Sequence, residues 1–380
     1  MENAAELSAP PAPTLTAEEE EYLDRARGIA DTVLEPRAEE IDRNRRFPRE
    51  NLDALAQAGL VGVTTPKEWG GLGLSGAFQR RFTETLTAAC GTTWFILTQH
   101  LGACGQIANS ANPSLRERYL KEAAAGRHYI GVSFGHLRRP DPVLRAEPVP
   151  GGWRLNGVAP WVTGWPALSG VLYGATLPDN RHIYLYSSAE PRDGIAVSDW
   201  QELCAMSASA TVEIRLTDVF VPERDFVRYS SREEMAKGDT NNIAGVVALP
   251  LGCATGSLRL LRRIAGQRTH LSFIADAANA LDAEIEACRE EARRWADGPK
   301  DRPEYRPNAL KARAWAITLG VRAAHMTVAA ASGGANALDH PAQRRFREAM
   351  FYTLTAQTGD IMAATLERLA SPPHVPPEAN

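Results

Sequence analysis

The spacing of apolar residues changes along this chain, and the change limits the folds open to it. In residues 211–217 apolar and polar residues alternate strictly, which predicts a β-strand with Val212, Ile214 and Leu216 on one face. Beyond Ala236 the apolar residues are separated by alternating steps of four and three, which predicts long packed helices. Two stripes have this spacing: Ile274, Ala278, Leu281, Ile285, Cys288 and Ala292, and Leu310, Ala314, Ile317, Val321, Ala324 and Val328.

The part of the chain before residue 129 is predicted to be helical. Thr16 and Glu19 have the spacing of a helix-capping box, and residues 79–128 continue with a helical pattern. Strand patterns begin at about Tyr129. We therefore predict an α+β chain with a disordered Pro/Ala-rich leader (1–14), an N-terminal helical domain (15–128), a middle β domain (129–236) and a C-terminal helical bundle (237–380).

Charge and hydropathy argue against two classes of partner. A formal net charge of -4 over 380 residues does not favour nucleic-acid binding. No run approaches 18 apolar residues, and the N-terminus lacks the basic start and apolar core of a signal peptide. We therefore expect no membrane segment and a cytoplasmic location. The five cysteines are widely scattered and support neither a disulfide framework nor a metal site.

Residues 151–165 concentrate aromatic side chains near predicted turns. Their composition predicts a hairpin turn, a strand, a second turn at Asn156 and Gly157, and a short segment carrying Trp161 and Thr163. Such a segment would form a flat, partly apolar wall with a hydroxyl at its edge, which suits a planar ring. The alternative is that these aromatic residues belong to an ordinary sheet core.

Three short motifs suggest other functions. Residues 71–76 fit GxGxxG, but no β-rich run precedes them, so a dinucleotide-binding turn is not favoured. Residues 131–135 fit the GxSxG nucleophile elbow, which makes a hydrolase the competing class, although Pro140 and Pro142 disfavour the helix that must follow. His100 and Cys104 lie one helical turn apart, but two ligands without a third are more typical of core packing than of a metal site.

Several segments resemble the acyl-CoA dehydrogenase superfamily in the correct order over roughly residues 16–370. Residues 151–165 resemble its N-G-x-K-x-W-I-T-N strand pair, residues 65–74 its P-E-x-Y/W-G-G-x-G loop, and residues 218–222 its D-V-x-V-P exit strand. The run from His340 to Glu348 resembles P-x-x-x-x-x-R-D. The resemblance implies an acyl-CoA dehydrogenase-like fold, with an N-terminal all-α domain, a middle β-barrel or sandwich and a C-terminal four-helix bundle. It also implies a homodimer or homotetramer.

The same resemblance implies a flavin cofactor, FAD or alternatively FMN, and the residues that would hold it. Ser133, Trp161 and Thr163 take positions beside the flavin ring. Arg268 takes the place of an arginine that reaches the pyrophosphate across a subunit interface, a task that suits its forked guanidinium. Gly333 and Gly334 resemble a turn whose bare backbone approaches the dinucleotide. The candidate catalytic residues are Ser133 and His100, the latter on a helix that lines the substrate pocket in this family.

The general base of the dehydrogenases is missing. The two positions at which family members carry a catalytic carboxylate fall on Ala356 and Asn242, and neither side chain can remove a proton. Losing a positioned base typically slows proton transfer by about 10²- to 10⁴-fold. The resemblance therefore favours the flavin-dependent monooxygenases of the superfamily, which take reduced flavin from a separate reductase and oxygenate a small organic substrate. A dehydrogenase or oxidase with a relocated base, and a flavin-poor binding protein on the same fold, stay open as alternatives.

Overall fold

The computed structural model describes residues 15–371, so the leader predicted for residues 1–14 lies outside the described residues. The N-terminal part is helical, as predicted. The side chain of Thr16 accepts a hydrogen bond from the Glu19 backbone and Glu19 bonds back, which forms the predicted capping box. The helices are α1 (Ala17–Ile29), α2 (Glu35–Arg43), α3 (Arg49–Gln57), α4 (Gly76–Ala89), α5 (Gly91–Ala108), α6 (Pro113–Leu115) and α7 (Lys121–Ala124).

The middle of the chain forms one eight-stranded sheet. The strands are β1 (Tyr129–Ser133), β2 (Leu144–Val149), β3 (Gly152–Val162), β4 (Leu168–Thr176), β5 (His182–Ser188), β6 (Ile195–Val197), β7 (Val212–Pro222) and β8 (Phe226–Ser230). The order across the sheet is β6-β7-β3-β2-β4-β5-β8, and β1 pairs with β4 in parallel. On β7 the predicted face of Val212, Ile214 and Leu216 is buried. One face of this sheet thus supplies the core of the β domain.

The turn predicted at Asn156 and Gly157 is wrong. The hairpin turn lies earlier, because Val149 pairs with Gly152 and leaves Pro150 and Gly151 at the tip, and β3 then continues through Asn156 without turning. The glycine at 157 is needed for a different reason: a Cβ there would lie 2.2 Å from the Val143 carbonyl oxygen. Opposite it, β7 has a bulge that inserts an extra residue.

The C-terminal part is a helical bundle. Its helices are α8 (Arg232–Asn241), α9 (Ala248–Gln267), α10 (Ser272–Asp297), α11 (Tyr305–Ala331), α12 (Pro341–Leu354) and α13 (Gly359–Ala370). The whole predicted stripe on α10 is buried. On α11 only half of the predicted stripe is buried, namely Ala314, Ile317 and Ala324, whereas Leu310, Val321 and Val328 are partly exposed. Other residues of this helix are buried instead, because it packs against α9, α10, α12 and α13 at once. The α+β architecture with helical domains on both sides of a sheet is therefore confirmed.

Among residues 15–371, no single helix is both long and apolar enough to cross a membrane. The sharply bent pair of α8 and the segment containing α9 meets the length and composition requirements only when the two are taken together.

Candidate functional site

A cavity of about 520 Å³ lies where the β domain meets the helical bundle. One wall is the turn of 3₁₀ helix Gly135–Arg138 that follows β1, a second is α8, and a third is the start of α13. Polar and apolar side chains are mixed in its lining. The lining residues are Arg138, Arg232, Met235, Ala236, Asp239, Thr240, Ile243, Arg306, Gln357, Thr358, Gly359, Asp360 and Met362.

Both carboxylates of this cavity are held in ion pairs. Asp239 accepts two hydrogen bonds from Arg138, at 2.8 and 2.5 Å, and so ties α8 to the turn after β1. Asp360 pairs with Arg306, which ties the start of α13 to the start of α11. Arg232 differs from these arginines, because it donates only to the carbonyl oxygens of Arg139 and Pro140, each at 3.2 Å.

The two positions expected to carry a general base lie close to this cavity. Ala356 has a φ of +51° and immediately precedes the lining residue Gln357. Asn242 caps the C-terminus of α8, next to the lining residue Ile243. The cavity therefore lies next to the two positions at which a general base was expected from the sequence, although the acidic side chains present in it are Asp239 and Asp360.

A buried arginine that the sequence did not indicate bonds to backbone close in sequence to the cavity lining. Arg313 on α11 is fully buried and donates to the carbonyl oxygens of Val246, Tyr352 and Thr355, at 2.7, 3.4 and 2.9 Å. Burial lowers the pKa of its guanidinium to about 9. No carboxylate among residues 15–371 lies within 4.0 Å of it. A charged residue beside an apolar helical stripe usually faces solvent, so the pattern gave no signal for this one.

A hydrogen bond joins the end of β1, at Ser133, to the part of β3 that carries Trp161. Ser133 is buried and donates from Oγ to the carbonyl oxygen of Pro160, at 2.8 Å. The next residue, Trp161, has a φ of +61° and an exposed fraction of 53%. This backbone conformation is unfavourable for a bulky side chain, and such strain is found mainly at functional sites.

The hydroxyl of Thr163 is turned into the protein interior. Its Oγ1 lies 2.9 Å from Thr211 Oγ1, which in turn lies 2.9 Å from Ser209 Oγ. All three hydroxyls are buried. In this arrangement the side chains of Ser133 and Thr163 support the loop that presents Trp161. Their hydroxyls already form hydrogen bonds within the protein.

Arg268, Gly333 and Gly334 form a second group at the far end of α11. The Arg268 guanidinium donates to the carbonyl oxygens of Ala330 and Ala331, at 3.0 and 3.1 Å. The two glycines follow after Ser332 and are exposed, and a Cβ on either would meet no atom within 4 Å. Among the described residues no hydrogen bond connects this group to Trp161.

His100 links the N-terminal helices to the sheet. Its Nδ1 accepts from the backbone N–H of Ile130, so Nε2 carries the hydrogen and donates to the Ala123 carbonyl oxygen, both at 3.1 Å. Burial lowers the pKa of this imidazole to about 4. Both ring nitrogens are therefore occupied, which leaves neither available to a substrate. The nearby Cys104 sulfur, 3.5 Å away, is buried as well, and no three metal-ligating side chains come together among residues 15–371.

A flavin fits the surfaces that these residues present. An exposed indole on a strained loop offers an aromatic face, and an exposed glycine pair offers bare backbone beside a guanidinium. A cleft of about 680 Å³ between α2, α9 and α12 is larger than the cavity described above. Its charged side chains are largely paired with one another. Neither lining includes a predicted site residue, and we regard the smaller cavity as the candidate substrate site because it lies beside Ala356 and Asn242, where a general base was expected.

Comparison with known proteins gives similar sequences in both reaction classes. Residues 16–127 match the family model for the N-terminal domain of acyl-CoA dehydrogenases. The chain is 24% identical to the short-chain specific acyl-CoA dehydrogenase of Clostridium acetobutylicum, over 91% of this chain and 96% of the relative. It is 26% identical to a pigment production hydroxylase of Rhodococcus sp., over 53% of this chain and 50% of that protein.

A solved structure has the same fold. The dibenzothiophene monooxygenase of Paenibacillus sp. A11-2 superimposes with a TM-score of 0.77 and 18% sequence identity, over 92% of this chain and 97% of the other. The fold is thus found in proteins named as dehydrogenases and in one named as a monooxygenase. Fold alone does not distinguish the two functions, so the distinction must come from the residues of the site.

Proposed function

The chain belongs to the acyl-CoA dehydrogenase superfamily, and on that premise we propose that it is a flavin-dependent monooxygenase. It would use reduced flavin, FAD or FMN, and O₂ to oxygenate a small organic substrate, with the flavin supplied by a separate reductase. The observation that carries this proposal is the pair of side chains at Ala356 and Asn242. A dehydrogenase needs a carboxylate near these positions to remove a proton, whereas oxygen transfer does not.

The cofactor would supply the oxygen-transfer chemistry, and the protein would bind, orient and exclude water. Trp161 would cover one face of the flavin ring, held by the loop that Ser133 and Thr163 support. Arg268 and the backbone at Gly333 and Gly334 would hold the phosphates, in the partner subunit's site of a homodimer or homotetramer. The substrate would occupy the cavity beside Gln357. Similarity to the Rhodococcus hydroxylase supports this assignment.

The test is to load the protein with chemically reduced FAD, and separately with FMN, and to mix it rapidly with oxygenated buffer. We expect an absorption phase distinct from both reduced and oxidised flavin before reoxidation is complete. Incorporation of ¹⁸O from ¹⁸O₂ into an accepted substrate then identifies a monooxygenase. Direct reoxidation of bound flavin in a single phase, with no labelled product, would contradict the proposal.

The second candidate is a dehydrogenase or oxidase that uses a carboxylate of the cavity, because Asp239 and Asp360 both line it. In that case Asp239→Asn or Asp360→Asn would slow flavin reduction by substrate about 10²- to 10⁴-fold. Unchanged turnover in both variants would remove this candidate. The third candidate, a flavin-poor binding protein, is suggested by the inward hydroxyls of Ser133 and Thr163, and recovery of one flavin per chain after purification would eliminate it.

A further inference from the structure

The cavity beside α8 has one more positive charge than negative in its lining. Arg138 and Arg306 are neutralised by Asp239 and Asp360. Arg232 is not, because its hydrogen bonds go to two carbonyl oxygens, and no ion pair joins it to a carboxylate among residues 15–371. Its remaining N–H groups are therefore available to an anion at the rim of the cavity.

Arg313 is a second positive charge that has no carboxylate partner among residues 15–371, and its hydrogen-bond acceptors lie close in sequence to the cavity lining. Its carbonyl partners at Val246 and Thr355 lie two or three residues from the lining residues Ile243 and Gln357. The three carbonyl oxygens solvate the guanidinium and keep it charged at neutral pH. A buried charge without a partner is costly, and its field falls off slowly in a low-dielectric interior, so it favours an anion bound nearby.

The uncharged part of the lining includes three larger apolar side chains beside the polar Thr240, Gln357 and Thr358. Met235, Ile243 and Met362 contribute flexible or branched hydrocarbon surface, and methionine adapts to ligands of irregular shape. We propose that this cavity binds a small organic anion, with its charged group at Arg232 and its apolar body against the methionines. This inference rests on the proposed function, since it makes that anion the substrate of the oxygenase.

The test compares two fluorescent probes that share a ring system. 8-Anilinonaphthalene-1-sulfonate carries a negative charge, and N-phenyl-1-naphthylamine is its neutral counterpart. We expect Arg232→Ala to weaken binding of the sulfonate roughly threefold to tenfold without changing binding of the neutral probe. Arg232→Lys should retain most of the affinity. Arg215→Ala, which removes an equal charge from exposed β7, is the matched control and should change neither.

A cavity-filling variant locates the probes. Ala236 lines the cavity from an exposed position on α8, so Ala236→Trp should block both probes without disturbing the core. Retained sulfonate binding in Ala236→Trp, or equal weakening by Arg232→Ala and Arg215→Ala, would overturn the proposal. Neither probe requires flavin. A failure here therefore leaves the oxygen-mixing experiment unaffected, and a protein that binds no flavin can still show the preference for an anion.

Discussion

At the scale of single residues, Trp161 places a stability cost next to a proposed binding surface. Its positive φ costs about 1–3 kcal/mol for a non-glycine residue, and the buried part of the indole contributes a stabilisation of similar size. We expect Trp161→Gly to change the stability of the flavin-free protein by less than about 2 kcal/mol in urea unfolding, because the two effects oppose each other, and to weaken flavin binding at least about tenfold. Trp161→Phe keeps an aromatic face and should retain most of the affinity. Flavin binding by Trp161→Gly at wild-type strength would exclude this residue from the site.

His100 makes a separate prediction about pH. Burial lowers the pKa of the His100 imidazole to about 4, from about 6.5 in an exposed histidine. The unfolded chain therefore binds more protons between these values, and stability falls as the pH is lowered through them. Between pH 7.5 and pH 5 this single group removes about 2 kcal/mol from the free energy of unfolding. Urea unfolding of wild type and His100→Gln at both pH values measures it. The variant should be less stable at pH 7.5 and should lose less on acidification, and an unchanged pH dependence would contradict the assignment.

At the scale of elements, α12 is anchored by a buried charge cluster. Glu348 accepts from the Gly91 backbone at 3.1 Å, from Arg344 at 2.8 Å and from Arg345 at 3.3 Å, and all three side chains are buried. Glu348→Gln would leave two buried guanidinium groups short of negative charge, so we expect a loss of about 3–5 kcal/mol. Glu290→Gln, which removes an exposed partner of Arg293, should cost less than about 1 kcal/mol in the same unfolding assay. Similar losses in the two variants would contradict this role of Glu348.

Elements with one buried face were predictable from the sequence, and elements with several were not. Every residue of the predicted stripe on α10 is buried, because that helix has a single core-facing side. Around α11 four other helices bury small residues on nearly every side, so a seven-residue period describes only part of its packing. Asn156 and Gly157 looked like a turn because the dipeptide is typical of hairpins, while the close approach of the Val143 carbonyl oxygen is a tertiary constraint that local sequence does not contain.

At the scale of the whole molecule, the order of domains followed from the changes in period, but the cavity did not. Its lining comes from residues 138, 232–243, 306 and 357–362, four segments that are far apart in sequence. Hydrophobic spacing shows which face of a helix is buried, not which helix ends meet. The prediction that Ala356 and Asn242 stand in place of a catalytic carboxylate came only from the family resemblance. No motif in the sequence indicated a role for Arg232 or Arg313.

We predict that the molecule self-associates through an apolar surface on α12 and α13. Exposed residues recur along one face of each helix, and clustered exposed apolar side chains usually mark an interface. They are Phe346, Met350, Leu354, Met362, Leu366 and Leu369.

Placing carboxylates in this surface tests whether the proposed flavin site is shared between subunits. We expect Leu366→Glu with Leu369→Glu to convert a dimer or tetramer into monomer in sedimentation velocity, because burying two added charges opposes association. Val197→Glu with Phe220→Glu, on exposed positions of β6 and β7, adds the same charge and should leave the assembly intact. Since Arg268 and Trp161 form separate groups within one chain, the monomeric variant should also bind FAD more weakly by about tenfold or more. A monomeric wild type, or a monomeric variant with full FAD affinity, would mean that one chain holds the cofactor alone.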